Sequence, residues 1–189
     1  LGDSDFPFGD NVANVLTSNN ALTRQPVAVI SAGGLTGVWA EQNTREALFA
    51  ALRRREVFAT TGPRMQVRLF AGSSLPAGLI RQRDWITQAY ARGVTTGGRP
   101  PRILVQAQKD PDGANLDRIQ VVKVWRAGGM NHEKVFDVAW SGDRKRDARS
   151  GELPAVGNTV DTRTATYRNS IGSVELVAEW IDPEFDAKA

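Results

Sequence analysis

The hydrophobic periodicity of this chain changes once, near Val57, and that change limits the fold more than any other feature of the sequence. Over residues 44–55 the apolar side chains recur at steps of three and four, which is typical of an amphipathic α-helix. Over residues 57–181 they recur mainly at steps of two, which is typical of half-buried β-strands. The sequence therefore predicts one principal helix followed by a mainly β region.

The predicted helix has a recognisable start and one apolar stripe. Asn43 or Thr44 can cap its first turn, because a short side-chain oxygen can accept a hydrogen bond from a free backbone N–H group. Glu46 follows Asn43 by three positions, where the acid of a capping box belongs. The apolar stripe passes through Leu48 and Leu52, and an arginine-rich face lies beside it.

The period-two region predicts an antiparallel β-sandwich of the immunoglobulin-like type over residues 57–189, because short strands alternate with Gly, Pro and Asp turns. The predicted strands are MQVRLF, RILVQAQ, DRIQVVKVWRA, EKVFDVAW, a weaker TATYRN, and SVELVAEWID. The segment DWITQAYARG is predicted as a short additional helix. In the last strand, the residues expected to face inward are Val174, Leu176, Ala178 and Trp180, and those expected to face outward are Glu175 and Glu179.

Residues 1–56 are predicted to be a loop-rich segment that ends in the principal helix. Gly, Asn, Asp, Ser and Pro dominate this segment as far as Gly37, and residues 27–30 form its one short apolar run. A loop of this length is uncommon inside a compact domain. We therefore expect this loop to be a surface loop that packed on a further part of the protein, and the helix to be either the last helix of a preceding domain or a connector packed against the side of the sandwich.

Composition excludes several classes of protein. Hydrophobic residues make up 41% of the 189 positions, which is enough for a packed core and excludes wholesale disorder. The chain contains no cysteine, so disulfides and cysteine-ligated zinc are excluded. The formal net charge is only +3, so we expect no nucleic-acid partner. No apolar run approaches the roughly 18 residues that span a bilayer, so we expect no membrane partner, and the compartment stays open between cytoplasm and periplasm.

The sharpest candidate binding site is the segment TTGPR at residues 60–64. Thr60 and Thr61 offer hydroxyl groups next to a tight Gly-Pro corner. The guanidinium of Arg64 can hold a carboxylate or a phosphate in a bidentate manner. The segment is therefore a candidate anion-binding site, and the alternative is an interdomain corner in which Arg64 forms a structural salt bridge.

A second candidate is a calcium site in the segment KDPDGANLD, which carries oxygen-bearing side chains at nearly alternating positions. These side chains belong to Asp110, Asp112, Asn115 and Asp117. The spacing is not that of an EF-hand loop, because Asn115 and Val121 take the positions of the required Gly and acid. A Pro-Asp-Gly β-turn between two strands is the favoured alternative.

No catalytic residue is assigned from the sequence. His132 is the only histidine, and NHEKVFD is not the H-E-x-x-H metal motif because Phe136 takes the second His position. The run SGDRKRDARSG is interpreted as a solvated loop, since Asp143 and Asp147 dilute its positive charge and no aromatic residue alternates with the basic ones. An independent hydrolase is disfavoured, because no paired acid and base stands out.

The segment GGLTGVWAEQNTREALFAALRRREVFATTGPRMQVRLFAG resembles the C-terminal part of the domain-of-unknown-function family DUF3604, which is similar to the CehA/McbA-type metallohydrolases of the PHP superfamily. The resemblance continues through DPDGANLDRIQVVKVW, HEKVFDVAWSGDR, LPAVGNTVD and WIDPEFD, and it covers roughly residues 33–186. It implies a two-part protein. A PHP-type barrel holds divalent metal ions with His and Asp side chains and hydrolyses an ester-like bond, and a β-rich domain follows.

This sequence departs from the whole-family pattern, because the His-bearing metal motifs and the aromatic strand after DPEFD are absent from it. We therefore expect a non-catalytic C-terminal β-domain fragment without its own cofactor, in which residues 1–56 are the remnant of the PHP-like domain. The resemblance suggests a metallohydrolase, but whether this chain is itself an enzyme is left open. The expected partners are the missing barrel domain and a second copy of the chain. The alternative function is a stand-alone binding module for carbohydrate or protein.

Overall fold

The computed structural model of the protein describes residues 34–92 and 99–187. The chain divides into two compact units, Leu1–Pro63 and Arg64–Ala189. The described residues are mainly β, with several antiparallel sheets and two short α-helices, so the prediction of a mainly β fold is confirmed. The apolar run at residues 27–30 lies outside the described residues. The boundary between a barrel remnant and a sandwich at residue 57 stays a prediction.

The described part of the first unit consists of strand β1 (Gly34–Val38), helix α1 (Arg45–Arg53) and strand β2 (Val57–Thr61). The two strands pair in antiparallel fashion. Strand β1 falls in a segment that was predicted to be loop, and its Gly and Thr residues explain why it lacks a period-two signal. The ring of Phe58 lies over Gly37, where an added Cβ would meet ring carbons at 2.2 Å, so a larger residue there would have to displace the ring.

The start of helix α1 decides between the two predicted caps. Thr44 has extended backbone angles, and its Oγ1 accepts a hydrogen bond from the backbone N–H of Ala47 at 3.3 Å. Thr44 is therefore the N-cap, and the alternative cap at Asn43 is not used. The hydroxyl satisfies one of the free donors of the first turn, which is the usual contribution of such a residue.

The end of helix α1 carries an unusual residue for its conformation. Arg55 has a φ of 62°, in the left-handed region where glycine is common after a helix. The N–H of Glu56 donates to the carbonyl of Ala51 at 3.0 Å, so the helix ends in a Schellman-type arrangement. Glu56 also accepts two hydrogen bonds from the guanidinium of Arg54. This arrangement turns the chain from α1 directly into β2.

The second unit contains most of the secondary structure. Its elements are β3 (Gln66–Gly72), a 3-10 segment (Leu79–Arg81), α2 (Trp85–Arg92), β4 (Arg102–Gln108), β5 (Arg118–Ala127), β6 (Met130–Trp140), β7 (Val160–Asp161), β8 (Thr166–Tyr167) and β9 (Glu175–Ile181). The strands β3, β4 and β9 form an antiparallel sheet with β4 in the middle, and β5 pairs with β6 as a long hairpin. The short strands β7 and β8 pair with each other.

One face of the β3–β4–β9 sheet packs against the β5–β6 hairpin, and this arrangement is β-sandwich-like. The buried residues between the two layers are Val105, Ala107, Leu116, Ile119, Leu176 and Ala178. Successive side chains of a strand point to opposite faces, so alternate residues of β4 and β9 reach this core. The period-two pattern of RILVQAQ and SVELVAEWID therefore predicted these inward positions correctly.

The other face of the same sheet is covered by the 3-10 segment and helix α2. Leu79 and Leu104 are fully buried there, and Trp85 is 7% exposed. Glu179 points away from the sandwich core, as predicted, but it lies under this second layer and forms an ion pair with Arg102. The second layer makes β4 a central strand that is buried on both faces.

One predicted strand face is wrong in detail, and one strand pair is irregular. Val174 was expected to face inward, but it precedes β9 and is 63% exposed. The pairing of β5 with β6 shifts register between Ile119 and Gln120. Because of this irregularity, Val138 and its neighbour Ala139 both pack against the sandwich core, which strict alternation would not allow.

Candidate functional site

The predicted anion-binding residues belong to two different units of the chain. Thr60 lies in β2, is 7% exposed, and its Oγ1 accepts a hydrogen bond from the backbone N–H of Leu35 at 3.3 Å. Thr61 is exposed at the end of β2. Arg64 begins the second unit, where its backbone N–H donates to Asp110 Oδ2 at 2.6 Å. The hydroxyl of Thr60 thus serves the β1–β2 sheet, and anion binding by Thr60, Thr61 and Arg64 stays a prediction.

The loop that joins β4 to β5 is organised by the carboxylate of Asp110. This carboxylate accepts hydrogen bonds from the backbone N–H groups of Arg64 at 2.6 Å and Asp112 at 3.0 Å. The N–H of Gly113 donates to the carbonyl of Asp110 at 3.0 Å, which closes a β-turn. The hydrogen bond from Arg64, and then that from Asp112, lower the pKa of Asp110 because they favour its charged form.

The side chain of Lys109 binds to the backbone carbonyls of this turn. Its Nζ donates to the carbonyl oxygens of Asp110, Pro111 and Gly113 at 2.8, 3.0 and 2.9 Å. A ring of carbonyl oxygens is also what a calcium loop offers to its ion. In this loop a tethered ammonium takes those oxygens, so the geometry favours the turn over an ion site.

The remaining predicted calcium ligands are engaged elsewhere. The amide of Asn115 donates to the carbonyl of Ile171 at 2.9 Å and so joins the loop to the segment before β9. The carboxylate of Asp117 forms ion pairs with Arg118 at 2.9 Å and Arg144 at 2.6 Å. The contact with Arg144 lacks the angle of a hydrogen bond and is electrostatic. Calcium binding by Asp110, Asp112, Asn115 and Asp117 therefore stays a prediction without geometric support.

The basic loop after β6 is fastened to the sandwich through its arginines. Arg144 donates to the carbonyls of Pro154 at 2.7 Å and Asp117 at 2.8 Å. Arg146 lies 3.3 Å from a carboxylate oxygen of Asp137. The interpretation of this run as a solvated loop is therefore wrong for Arg144, whose side chain is only 14% exposed. These two guanidinium groups hold the loop against the sandwich.

Asp137 is the best-enclosed acid of this network, and the sequence did not reveal its partners. Its side chain is 9% exposed and lies 3.6 Å from the guanidinium of Arg118. Its Oδ1 also accepts a hydrogen bond from the side-chain amide of Gln120 at 2.7 Å. Gln120 and Asp137 are directly opposite across the hairpin, so their cross-strand pairing is the signal that could have identified the contact.

An aromatic cluster lies on the outer half of the β5–β6 hairpin. The rings of Trp125 and His132 are stacked with centroids 5.3 Å apart, and the Nζ of Lys123 lies 5.0 Å from the centre of the Trp125 ring. His132 lies within β6, and its Nε2 is 3.3 Å from the carbonyl oxygen of Ala127. The contacts of the single histidine are thus an indole ring and a backbone carbonyl, which do not form a catalytic pair.

The described residues contain neither a cluster of metal ligands nor a helix that could span a membrane. In residues 34–92 and 99–187, no group of three or more His, Cys, Asp or Glu side chains is arranged so that it could hold a metal ion. Within the same two ranges, no helix has both the length and the apolar character that crossing a membrane requires.

Comparison with known proteins gives one informative result. No curated protein matches the chain, and no solved structure matches it either. The model of a family described as a protein of unknown function, DUF3604, matches residues 9–189. Because this match spans nearly the whole sequence, the chain belongs to the DUF3604 family of proteins of unknown function.

Proposed function

We propose that this chain is the non-catalytic C-terminal β-domain of a PHP-like metal-dependent hydrolase whose active site lies in a preceding barrel domain. The divalent metal of the hydrolase would be held by that barrel. The observation that carries the proposal is that the enclosed acids of the second unit face cations. Asp137 lies between arginines, Glu179 pairs with Arg102, and Asp182 pairs with Lys123. Carboxylates held in this way are neutralised by their partners and are poorly placed to exchange protons with a substrate.

The first unit supplies a surface that the barrel domain could cover. Phe49 and Leu52 lie three positions apart on α1, so they are neighbours on one helix face, and they are 60% and 48% exposed. Leu35 in β1 and Val57 in β2 are also exposed, at 45% and 38%. Large exposed apolar side chains that lie close together are typical of interaction surfaces. We name Phe49 and Leu52 the helix patch.

The catalytic part of the proposal can be tested by an activity assay with added metal. The purified chain should give no turnover above the metal-only control with p-nitrophenyl phosphate, bis-p-nitrophenyl phosphate or p-nitrophenyl acetate in the presence of Mg²⁺, Mn²⁺ or Zn²⁺. Joining the chain to the protein sequence that precedes it in its gene should produce activity. Turnover by the chain alone that is lost in His132→Ala or Asp137→Asn would contradict the proposal.

The helix patch also leads us to propose self-association of the isolated chain. Without the barrel, a second copy of the chain would cover Phe49 and Leu52. Light scattering across a concentration series should show an increase in mass, and Phe49→Ser with Leu52→Ser should abolish it. Val122→Ser with Val124→Ser, on the exposed face of the β5–β6 hairpin, is the matched control. A chain that stays monomeric at high concentration would contradict this proposal.

A stand-alone binding module for carbohydrate or protein is the second candidate, and the observation that favours it is the cluster of Trp125 and His132. Stacking on an aromatic ring is a common way to hold a sugar or a peptide side chain. The ring of Trp125 is already contacted by His132 and by Lys123, which makes it a weaker platform than a bare ring. Loss of polysaccharide binding in Trp125→Ala, with folding retained, would establish this function for carbohydrate.

A further inference from the structure

The segment that follows β9 lies against one face of the β5–β6 hairpin. The Nζ of Lys123 is 2.5 Å from Asp182 Oδ2 and donates to the backbone carbonyl of Glu184 at 2.7 Å. The side chain of Glu184 forms an ion pair and a hydrogen bond with the Nζ of Lys134. The N–H of Glu184 donates to Asp182 Oδ1 at 2.9 Å, which sets the two acids at a fixed spacing. We call residues 182–186 the acidic tail.

The hairpin face under the acidic tail is cationic and aromatic. Lys123 and Lys134 are directly opposite each other across the two strands, and like charges in such positions destabilise a hairpin unless they are neutralised. The Nζ of Lys123 is 5.0 Å from the ring centre of Trp125, and the Nζ of Lys134 is 5.2 Å from that of Phe136. The ammonium groups are thus held over rings with their charges directed to a common ligand. We call Lys123 and Lys134 the lysine pair.

We propose that the lysine pair and its flanking rings form a recognition site for acidic, extended peptide segments, and that the acidic tail occupies this site in the isolated chain. This proposal goes beyond the role of the chain in a hydrolase and depends on different residues. The tail shows which ligand the site fits. Lys123 binds one carboxylate and one backbone carbonyl, and Lys134 binds a second carboxylate two residues further along the peptide. The contact with a backbone carbonyl favours a peptide over a nucleic acid, which would offer phosphates instead.

The two halves of the contact differ in exposure, and this difference suggests how a partner would enter. The side chain of Asp182 is 9% exposed, and that of Lys123 is 21% exposed. The side chains of Lys134 and Glu184 are 46% and 49% exposed. Because an exposed ion pair contributes little to stability, a competing acidic segment would first displace Glu184 and then extend towards Lys123. The tail competes at the high effective concentration of a covalently attached ligand.

The test uses the full chain and a peptide with the sequence of the tail, acetyl-Ile-Asp-Pro-Glu-Phe-Asp-amide, labelled for fluorescence anisotropy. The double substitution Asp182→Asn with Glu184→Gln should release the acidic tail from the site. The double variant should then bind the peptide at least about tenfold more tightly than the unaltered chain, because its own tail competes less well. Glu184→Gln alone, which changes an exposed side chain, should give an intermediate affinity. Adding Lys123→Gln and Lys134→Gln to the double variant should abolish binding.

Two control ligands make the result decisive. A peptide with Asn and Gln in place of its acids should not bind the vacated site. A single-stranded oligothymidine of equal charge should bind more weakly than the acidic peptide. Equal binding of the oligothymidine would overturn peptide recognition. The proposal would also be overturned if the Glu184→Gln variant and the double variant, both shown to be folded by circular dichroism, failed to bind the peptide saturably. Neither outcome depends on whether a barrel domain or a hydrolase activity exists.

Discussion

The two faces of the β3–β4–β9 sheet are covered in different ways. On the helical face, Leu79 and Leu104 are fully buried and Trp85 is almost fully buried, so large apolar side chains fill the space beneath α2. On the hairpin face, two of the buried residues of the sheet are small, Ala107 and Ala178. The fully buried side chains of the helical layer are therefore larger than these two alanines, and truncating them should leave larger cavities.

The hairpin layer also contains several charged contacts, most of which join its own strands and loops. The carboxylate of Asp137 forms ion pairs with two guanidinium groups and accepts a hydrogen bond from a side-chain amide. Arg144 joins the loop after β6 to the backbone carbonyl of Asp117. Lys123 and Asp182 connect the hairpin to the end of β9. The helical layer thus combines fully buried leucines with one ion pair, Arg102–Glu179, whereas the hairpin layer combines a core that includes two alanines with several ion pairs. This difference predicts that substitutions on the two faces will change the free energy of unfolding by different amounts. It also predicts that the changes will depend differently on charge and pH.

Leu104→Ala should have the largest effect, because the side chain is fully buried among the residues of the helical layer. Deleting a buried Leu side chain costs its transfer free energy plus the cavity it leaves, so the free energy of unfolding should fall by about 3–5 kcal/mol. Equilibrium denaturation in urea measures this value. A loss of under about 1 kcal/mol would show that the helical layer is not tightly packed.

Val105→Ala tests the opposite face at the adjacent position of β4, where the side chain is 3% exposed. Removing two methyl groups should lower the free energy of unfolding by about 2 kcal/mol, from about 0.8 kcal/mol for each buried carbon plus a small cavity term. The comparison with Leu104→Ala is made per carbon removed, by the same urea titration. A larger loss per carbon at Val105 than at Leu104 would reverse the proposed order of the two faces.

Asp137→Asn tests the charged contacts within the hairpin layer. The amide keeps the shape of the side chain but removes the charge that faces Arg118 and Arg146. The free energy of unfolding should fall by about 1–2 kcal/mol, the range of a hydrogen bond or ion pair with a charged, partly buried partner. The control is Asp143→Asn on the exposed side of the same region, which should change it by less than about 0.5 kcal/mol.

Asp110→Asn should have the smallest effect and a distinct pH dependence. Hydrogen bonds from the N–H groups of Arg64 and Asp112 lower the pKa of Asp110 below its unfolded value of 3.8. A lowered pKa stabilises the folded state above the unfolded pKa, and this contribution is lost as the pH falls through the folded pKa. Thermal unfolding should therefore show a lower midpoint for Asp110→Asn at about pH 7 and a smaller difference at about pH 2. An equal difference at both pH values would show that the charge of Asp110 is not involved.

The sequence predicted those parts of the fold that depend on local pattern. The segment RILVQAQ coincides with β4, because alternating apolar residues must be buried on at least one side of a sheet. Thr44 was one of two predicted caps, since capping depends on residues close in sequence. Strand β1 was missed because Gly34 and Gly37 give no strand signal, and their pairing depends on β2, which lies more than twenty positions further along the chain.

The candidate site was less predictable, because its contacts join residues that are distant in sequence. The turn at Asp110 followed from local Pro, Asp and Gly chemistry. The capture of its carbonyls by Lys109 depends on the path of that turn in space. The enclosure of Asp137 by Arg146 depends on a loop that returns to the sheet, and periodicity does not report such a return. The second layer over Glu179 was hidden for the same reason.

The most direct test of the account is native-state hydrogen exchange, resolved by residue, on the unaltered chain and on Asp137→Asn. We expect Asp137→Asn to lower the protection of backbone amides in β5, β6 and the loop that follows them, because the carboxylate of Asp137 joins these three segments. The amides of β4 and α2 should keep their protection. Equal losses in both layers, or losses confined to α2 and its neighbours, would contradict the claim that the charged contacts of Asp137 act within the hairpin layer.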